Sequence, residues 1–494
     1  MVFSNAQWMT PTASDSVVSV ANSALFDASA STDGLSYTTD GSGFNQKTFT
    51  LSTWFYLGSN TASIGGVGWP IFASDHGSAN SETTWWKIRI NTNGTLVISN
   101  WNDVTTTQVF RDIGWYNLII GADTTQATAS NRYKVYVNGE RITSFSSTGY
   151  PSQNIDLAWG EPSEDHWIGN YDNANYAYNG YLAETVFKSG SQLGPESFGE
   201  FDSTGTFWTP LSSSAILAGS PTFYLNNATN PQTDASGNGN NFTNNGSIAT
   251  STHTPTNINC LLNPIYRTTD PVTLSGGNLT ATWGSAGNHN SAKGTISYPP
   301  SGKWYFEATY TTDPGGFARV GVSGELTIPE SNFVGQLADG YGYVEDGTKI
   351  LNSSATSYGN SYTAGDIIGI YMDRDNNAVW FSKNGTPQNS ATTSEIIAGT
   401  TTNAAFTSVT TATLFPTISH ANNGAVWTVN FGDSSFNTAL LTGYKALNTA
   451  NLASEITRTH SNLEEYFDTT LYEGNGAGQR VGKFLPFTNT FTVA

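Results

Sequence analysis

The stretch RYKVYVNGERI, residues 132–142, decides the fold. Tyr133, Val135 and Val137 alternate with Lys134 and Tyr136, the period-two pattern of a strand with one buried face. Asn138 and Gly139 follow, two residue types that tolerate positive φ. A two-residue loop of that kind closes a hairpin whose twist suits its strands. The phrase returns as VWFSKNG at 379–385, so the same device is expected at Asn138-Gly139 and again at Asn384-Gly385. Both are read as turns inside a sandwich, because Asn-Gly is the strongest short hairpin signal.

Outward from that hairpin, nearly every apolar stretch is short, β-branched or aromatic, and bounded by Gly, Asn, Asp or Pro. TFTLSTWFYLG (48–58), WWKIRI (85–90) and WYNLIIGA (115–122) are examples. Such spacing predicts an all-β chain of antiparallel β-sandwich, jelly-roll domains. Helical periodicity is nearly absent; TALLTGYKALNTANLASEI (438–456) is expected to give a turn or two.

At 494 residues the chain is long enough for several cores, about three on a length prior of roughly 150 residues each. The first sandwich is expected over 1–205. From 206 to 265 the texture turns polar and repetitive, as in NNATNPQTDASGNGNNFTNNGS, and is read as an irregular connector. A second sandwich is expected over 266–437, carrying GKWYFEATY (302–310), FARVGVSG (317–324), DIIGIYMD (366–373) and GAVWTVNFG (424–432). Residues 438–494 are expected to be irregular. Their last phrase, GKFLPFTNTFTVA, is like SVVSVANSALF (16–26), so the tail is expected to begin another repeat or to pair with a neighbouring subunit.

Composition excludes several function classes. Net charge is −19, which opposes attraction to phosphate backbones and anionic lipid; neither nucleic acid nor membrane insertion is expected. No run approaches the ~18 apolar residues needed to span a bilayer, and the first residues have no basic start or apolar core, so a soluble chain without a secretion signal is expected. The single cysteine, Cys260, excludes an intramolecular disulfide framework, and the six scattered histidines show no zinc spacing. Charged residues are only 12% against 13% aromatics, so the surface must be rich in neutral hydrogen-bonding groups.

Four motifs, NSALFDAS (22–29), TFTLSTWFY (48–56), YKVYVNGERI (133–142) and WIGNYDNANYAYNGYLAETVF (167–187), stand in an order that resembles the laminin G-like branch of the concanavalin A-like fold. The last looks like the closing strand of that sandwich, with Gly180, Tyr181, Ala183 and Glu184 in place. The second block resembles a SPRY domain, itself a bent sandwich, through GKWYFE (302–307), ARVGVS (318–323), GYGY (340–343), GDIIGIYMD (365–373), VWFSKNG (379–385) and LFPTIS (414–419). The pairing of the two blocks through DASGNGNNFT (234–243) is similar to virion surface proteins of tailed phages, in particular tail-fibre-like and decoration proteins of marine ones. That resemblance implies a place on the virion, capsid or tail proteins as partners, and host or environmental glycans as ligands; a homo-oligomer is expected. The alternatives are a purely structural decoration protein without ligand, a bacterial adhesin, and a polysaccharide depolymerase.

No catalytic constellation stands out, and an enzyme is not expected. A glycosidase on this fold would align carboxylates at alternating positions of one strand, and no such run exists; ESFGEFD (196–202) holds Glu200 and Asp202 with Glu196 out of phase. No nucleophile elbow or phosphate-binding loop appears. No cofactor is expected, with calcium left open: Asp75, Asp103, Asp165 and Asp172 fall in expected loops, and DRDNN offers Asp373, Asp375 and Asn377 at calcium-loop spacing without the glycine turn or the closing Glu.

The expected binding surface is the loop rim of the first sandwich. GWPIFASDHGSANSETTWW (68–86) brings Trp69, Asp75, His76 and Asn80, and NYDNANYAYNG (170–180) brings Asp172, Asn173, Tyr176 and Tyr178. Sugar recognition needs an aromatic face with fixed polar groups, and the two loops contain both. The alternative is that Trp69 caps the core and the Asn and Asp residues only make turns.

Overall fold

The computed structural model describes residues 18–28, 32–58, 68–75, 83, 85–110, 114–171, 176–203, 205–264, 272–284, 289–327 and 332–456. The chain forms two compact units, one of residues 1–258 with 274–278, the other of 259–273 with 279–494.

The first unit is a sandwich of two antiparallel sheets. One runs in the order Glu140–Arg141, Tyr133–Val137, Trp115–Asp123, Thr48–Leu57, Gly180–Ser189, Ser23–Phe26, Ala249–Ser251, with Phe223–Leu225 also paired to Gly180–Ser189. The other runs Phe145–Thr148, Asn102–Val109, Thr95–Asn100, Trp85–Ile90, Trp69–Asp75, Asp165–Ile168, Leu35–Thr38, Thr243–Asn244. Alternating residues of both, among them Leu51, Phe55, Trp86, Ile88, Ile98 and Leu118, meet in one buried core. The Asn138-Gly139 turn is where the sequence puts it: Val137 pairs with Glu140, and the two turn residues have φ of 49° and 80°.

The expected connector is not one. Residues 206–258 belong to the first unit, and three of their strands join its sheets. Phe223, Leu225, Phe242 and Ile248 supply core, and the polar DASGNGNN turn closes on itself because the Asp234 carboxylate accepts N–H donors from Tyr224, Ser236 and Asn240. Polar low complexity here means hydrogen-bonded turns between short core-forming strands.

In the second unit one sheet orders Thr280–Trp283, Val426–Asn430, Lys303–Thr312, Ile367–Asp373, Ala378–Lys383, Thr386–Pro387. Its six-stranded partner orders Asn290–Lys293, Phe415–His420, Arg319–Ser323, Gly340–Val344, Thr348–Leu351, Ser354–Ser357. Tyr343 of the second stacks on Phe381 of the first at 5.3 Å, so the two sheets pack face to face. Asn384-Gly385 turns between Lys383 and Thr386 with φ of 48° and 79°. The unit also runs past the expected boundary at 437: Tyr444–Ala446 lies parallel to Lys303–Tyr305, Tyr444 and Leu447 are buried, and Thr449–Ile456 is helical. The tail phrase at 482–494 lies outside the described residues. Among the described residues no helix is long and apolar enough to cross a membrane, which says nothing of a β-barrel.

Candidate functional site

In WWKIRI the period-two rule separates two faces. Trp86, Ile88 and Ile90 point into the core, and Trp85, Lys87 and Arg89 point away from it. Register extends that outer face across the sheet: Trp167 lies opposite Ala73, Ala73 opposite Lys87, Lys87 opposite Ser99 and Ser99 opposite Asp103. One row thus crosses five strands.

Aromatic rings gather on this row. The Lys87 ammonium lies 4.1 Å from the centre of the Trp85 ring and 4.7 Å from that of Tyr171, a cation held between π-faces. Tyr171 packs with Ala73 and Trp167, and Tyr176 lies 5.0 Å from Tyr171. Trp101 stands edge-on to Trp85 at 6.3 Å and is 53% exposed. Its φ is +78°, a conformation rare for a bulky side chain, in the one-residue turn where Asn100 pairs with Asn102. A strained backbone that presents a large apolar ring to solvent points to a use for that ring.

Polar groups surround the rings. Ser99 donates to Asp103 at 2.6 Å, and Asp103 faces the Arg89 guanidinium at 3.8 Å. Arg89 Nε donates to Asn91 Oδ1 at 2.9 Å. Burial pushes the Tyr171 phenol up to about 12, against the opposing pull of Arg89, so it stays a neutral donor. The Trp85 indole N–H is buried and meets no acceptor among the described residues. The face combines stackable rings with oriented donors and acceptors.

The rim expected from sequence is differently placed. Trp69 is 2% exposed and Tyr178 is fully buried, its hydroxyl donating to the Tyr56 carbonyl at 2.9 Å; both are core residues, not rim residues. The strand Trp69–Asp75 ends at Asp75, while His76, Asn80, Asp172 and Asn173 lie outside the described residues. Of the expected set, Tyr176 reaches the aromatic face. Trp85, Lys87, Trp101 and Tyr171 were missed, although the alternation in WWKIRI already sets Trp85 and Lys87 on the face opposite Trp86.

Of the calcium candidates, Asp172 and the Asp75 side chain lie outside the described residues. Asp103 and Asp165 sit on separate strands, Asp165 accepting from Thr38 Oγ1 at 2.5 Å, rather than in loops. Asp373 meets the Lys303 ammonium at 3.3 Å and Asp375 accepts the Gly302 N–H at 2.8 Å, as parts of a hairpin. Among the described residues no three His, Cys, Asp or Glu side chains gather to hold a metal.

The second unit has an exposed feature of its own. Gly315, Gly316 and Phe317 follow one another at φ of +93°, +63° and +83°, and Phe317 is 46% exposed. The Arg319 guanidinium lies 4.0 Å from the Phe333 ring, and His289 packs edge-on to Phe317 at 5.3 Å. Burial and the nearby Arg319 charge lower the His289 pKa.

Known proteins resemble part of this chain. It is 39% identical over 84 residues to the ATP-dependent RNA helicase DDX1 of Xenopus laevis and 36% identical over 93 residues to ATP-dependent RNA helicase Ddx1 of Drosophila melanogaster, covering 17% and 19% of this chain. The chain spans 11% and 12% of the length of those relatives. The crystal structure of the SPRY domain of human HERC1 is similar at 20% identity and a TM-score of 0.27, over 35% of this chain and 99% of that one. The SPRY domain family model matches 303–434, a span that holds five of the second unit's sequence motifs complete. Residues 303–434 are a SPRY domain.

Proposed function

We propose that this chain is a non-enzymatic binding protein whose first unit takes carbohydrate on the outer face built around Trp85, Lys87, Trp101 and Tyr171. The observation that carries the reading is Trp101, half exposed in a strained turn beside a second tryptophan. Sugar rings stack on indole faces, and their hydroxyls need oriented donors and acceptors such as Arg89, Ser99 and Asp103. With net charge −19 the ligand is a neutral glycan, whose binding is nearly indifferent to salt. Affinity per site is weak and is raised roughly 10²-fold or more when many copies act together. The setting, the surface of a tailed-phage particle, rests on the resemblance of the two-block pairing and predicts the chain in purified virions.

A glycan array with the intact chain, followed by titration of hits, tests the reading. Trp101→Ala is expected to remove about 2 kcal/mol of binding or more. Equal binding by wild type and variant, or no glycan bound by either, rejects it.

A second reading concerns the second unit: Phe317, presented by three consecutive positive-φ residues, contacts a partner protein, a capsid or tail component in the virion setting. Phe317→Ala is then expected to weaken incorporation into particles and leave glycan binding unchanged.

A further inference from the structure

Away from the carbohydrate face, the other sheet of the first unit carries an unusual carboxylate. Glu184 sits where strand Gly180–Ser189 shifts register between Ala183 and Val186, its φ is +49°, and it is 7% exposed. Tyr224 donates its hydroxyl to Glu184 Oε2, and Tyr224 Oη lies 3.0 Å from Ser213 Oγ. Tyr224 belongs to strand Phe223–Leu225, which pairs with Gly180–Ser189 within the sheet, and Ser213 to helix Ser213–Ala218, so the chain of bonds reaches from two neighbouring strands to the helix. Around it Phe198, Ile216 and Tyr224 pack on Ile119 and Val186.

Charges near Glu184 are sparse. The helix SSAILA and the strand TFTLSTWFYL contain no acidic or basic residue; strand Trp115–Asp123 has only Asp123, at its far end. Lys188 of Glu184's own strand donates instead to the Ser220 carbonyl at 2.6 Å. Glu196, just before the covering segment, Glu200 within it, and Asp234, which accepts the Tyr224 N–H, are acids and offer no compensation, and Tyr136 packs on the same cluster. Tyr224 is the titratable group that meets the carboxyl.

We infer that Glu184 is a proton-dependent latch: residues 198–222, which lead into strand Phe223–Leu225, are held to the outer face of the sheet while its carboxyl keeps its proton, and are loosened as it ionises. Among the described residues no cation is paired with this carboxyl, so its ionised form is a costly buried charge, whereas the neutral acid satisfies the Tyr224 hydroxyl without that cost. Burial raises the Glu184 pKa from 4.5 to about 7, with the Tyr224 hydrogen bond opposing. For an acid with a raised pKa, the holding is complete below 4.5 and is lost as pH rises towards 7. The latch works in the range where ordinary carboxylates have already ionised.

Hydrogen exchange on the intact chain tests it, with rates corrected for the intrinsic pH dependence. Protection over 198–222 is expected to fall with rising pH, by at most about tenfold per unit between pH 5 and 7, while strand Trp115–Asp123 stays flat. Glu184→Gln, which keeps the shape without the charge, is expected to remove that dependence; the same slope in this variant overturns the inference. Should Glu184→Gln not fold, the carboxyl carbon of Glu184 in the wild-type chain decides by NMR titration. A midpoint near 7 supports the latch, and one near 4.5 overturns it. Tyr224→Phe, which removes a donor to the ionised form, is expected to move that midpoint upward; an unmoved midpoint overturns the coupling between them.

Discussion

Asn138 and Asn117 exchange two bonds across the first hairpin: the Asn138 N–H donates to the Asn117 carbonyl at 3.0 Å, and Asn138 Oδ1 accepts the Asn117 N–H at 2.8 Å. Asn384 repeats the arrangement on Ile367, with both bonds at 2.8 Å. A side-chain oxygen thus replaces the next backbone carbonyl where the strand turns away, and the same residue tolerates the positive φ of the turn.

Asn138→Ala loses both contributions. The αL conformation costs Ala about 1 kcal/mol, and the orphaned N–H of Asn117, a fully buried residue, costs about 2 kcal/mol. Asn384→Ala is expected to cost about half as much, because that turn is exposed and water replaces the lost acceptor. Asn138→Gly should fall between wild type and Ala. Denaturant unfolding orders the variants, and equal losses at the two turns contradict the account.

Trp101 and Trp69 separate binding from stability. Trp101→Gly relieves a strained φ and is expected to leave stability unchanged or raise it by about 1 kcal/mol while abolishing glycan binding. Trp69→Ala empties a core position and is expected to cost about 3 to 5 kcal/mol. Paired melting and binding measurements read the opposite signs. Stability lost with Trp101 would assign that ring to packing.

Glu307, 1% exposed in the second unit, accepts the backbone N–H groups of Asn437 and Thr438, both at 2.8 Å, and the hydroxyl of Tyr305 at 2.9 Å. It ties the segment after the SPRY domain back onto strand Lys303–Thr312. Glu307→Ala leaves several part-buried donors unpaired and is expected to cost about 3 kcal/mol or more, and Glu307→Gln less, since one acceptor oxygen remains. Proteolysis near 436–438 should accelerate in the same order; unchanged cleavage in Glu307→Ala speaks against the tether.

His420 gives the second unit a pH dependence of opposite sign to the latch. Its Nδ1 accepts the Asn422 N–H at 2.9 Å, so Nε2 carries the proton and donates to Tyr310 Oη at 2.9 Å. Burial lowers its pKa from 6.5 to about 4, with Asp313 opposing and Arg319 and His289 assisting. A base with a depressed pKa contributes fully above 6.5, and its contribution is lost as pH falls towards 4. His420→Gln is expected to flatten the acid limb of the stability curve of this unit; an unaltered limb would assign it to other groups.

Much of this was legible in order along the chain. The alternation in YKVYV, the Asn-Gly turns and the short strands specify antiparallel sandwiches, because period and turn chemistry are local properties. The SPRY motifs GKWYFE, GDIIGIYMD and VWFSKNG lie on adjacent strands of one sheet, 303–312, 367–373 and 378–383, as their spacing suggests.

Which tryptophan faces out was a different matter. Trp69, Trp85 and Trp86 are chemically alike and close in sequence, yet Trp69 and Trp86 meet the core and Trp85 faces away from it. The sequence by itself determined that neighbouring residues of a strand take opposite faces. Only the tertiary structure decided which face the second sheet covers, and so which rings stay available. Likewise Phe223–Leu225 lies about forty residues after the strand it joins, and its burial comes from that long-range pairing rather than from the polar texture around it.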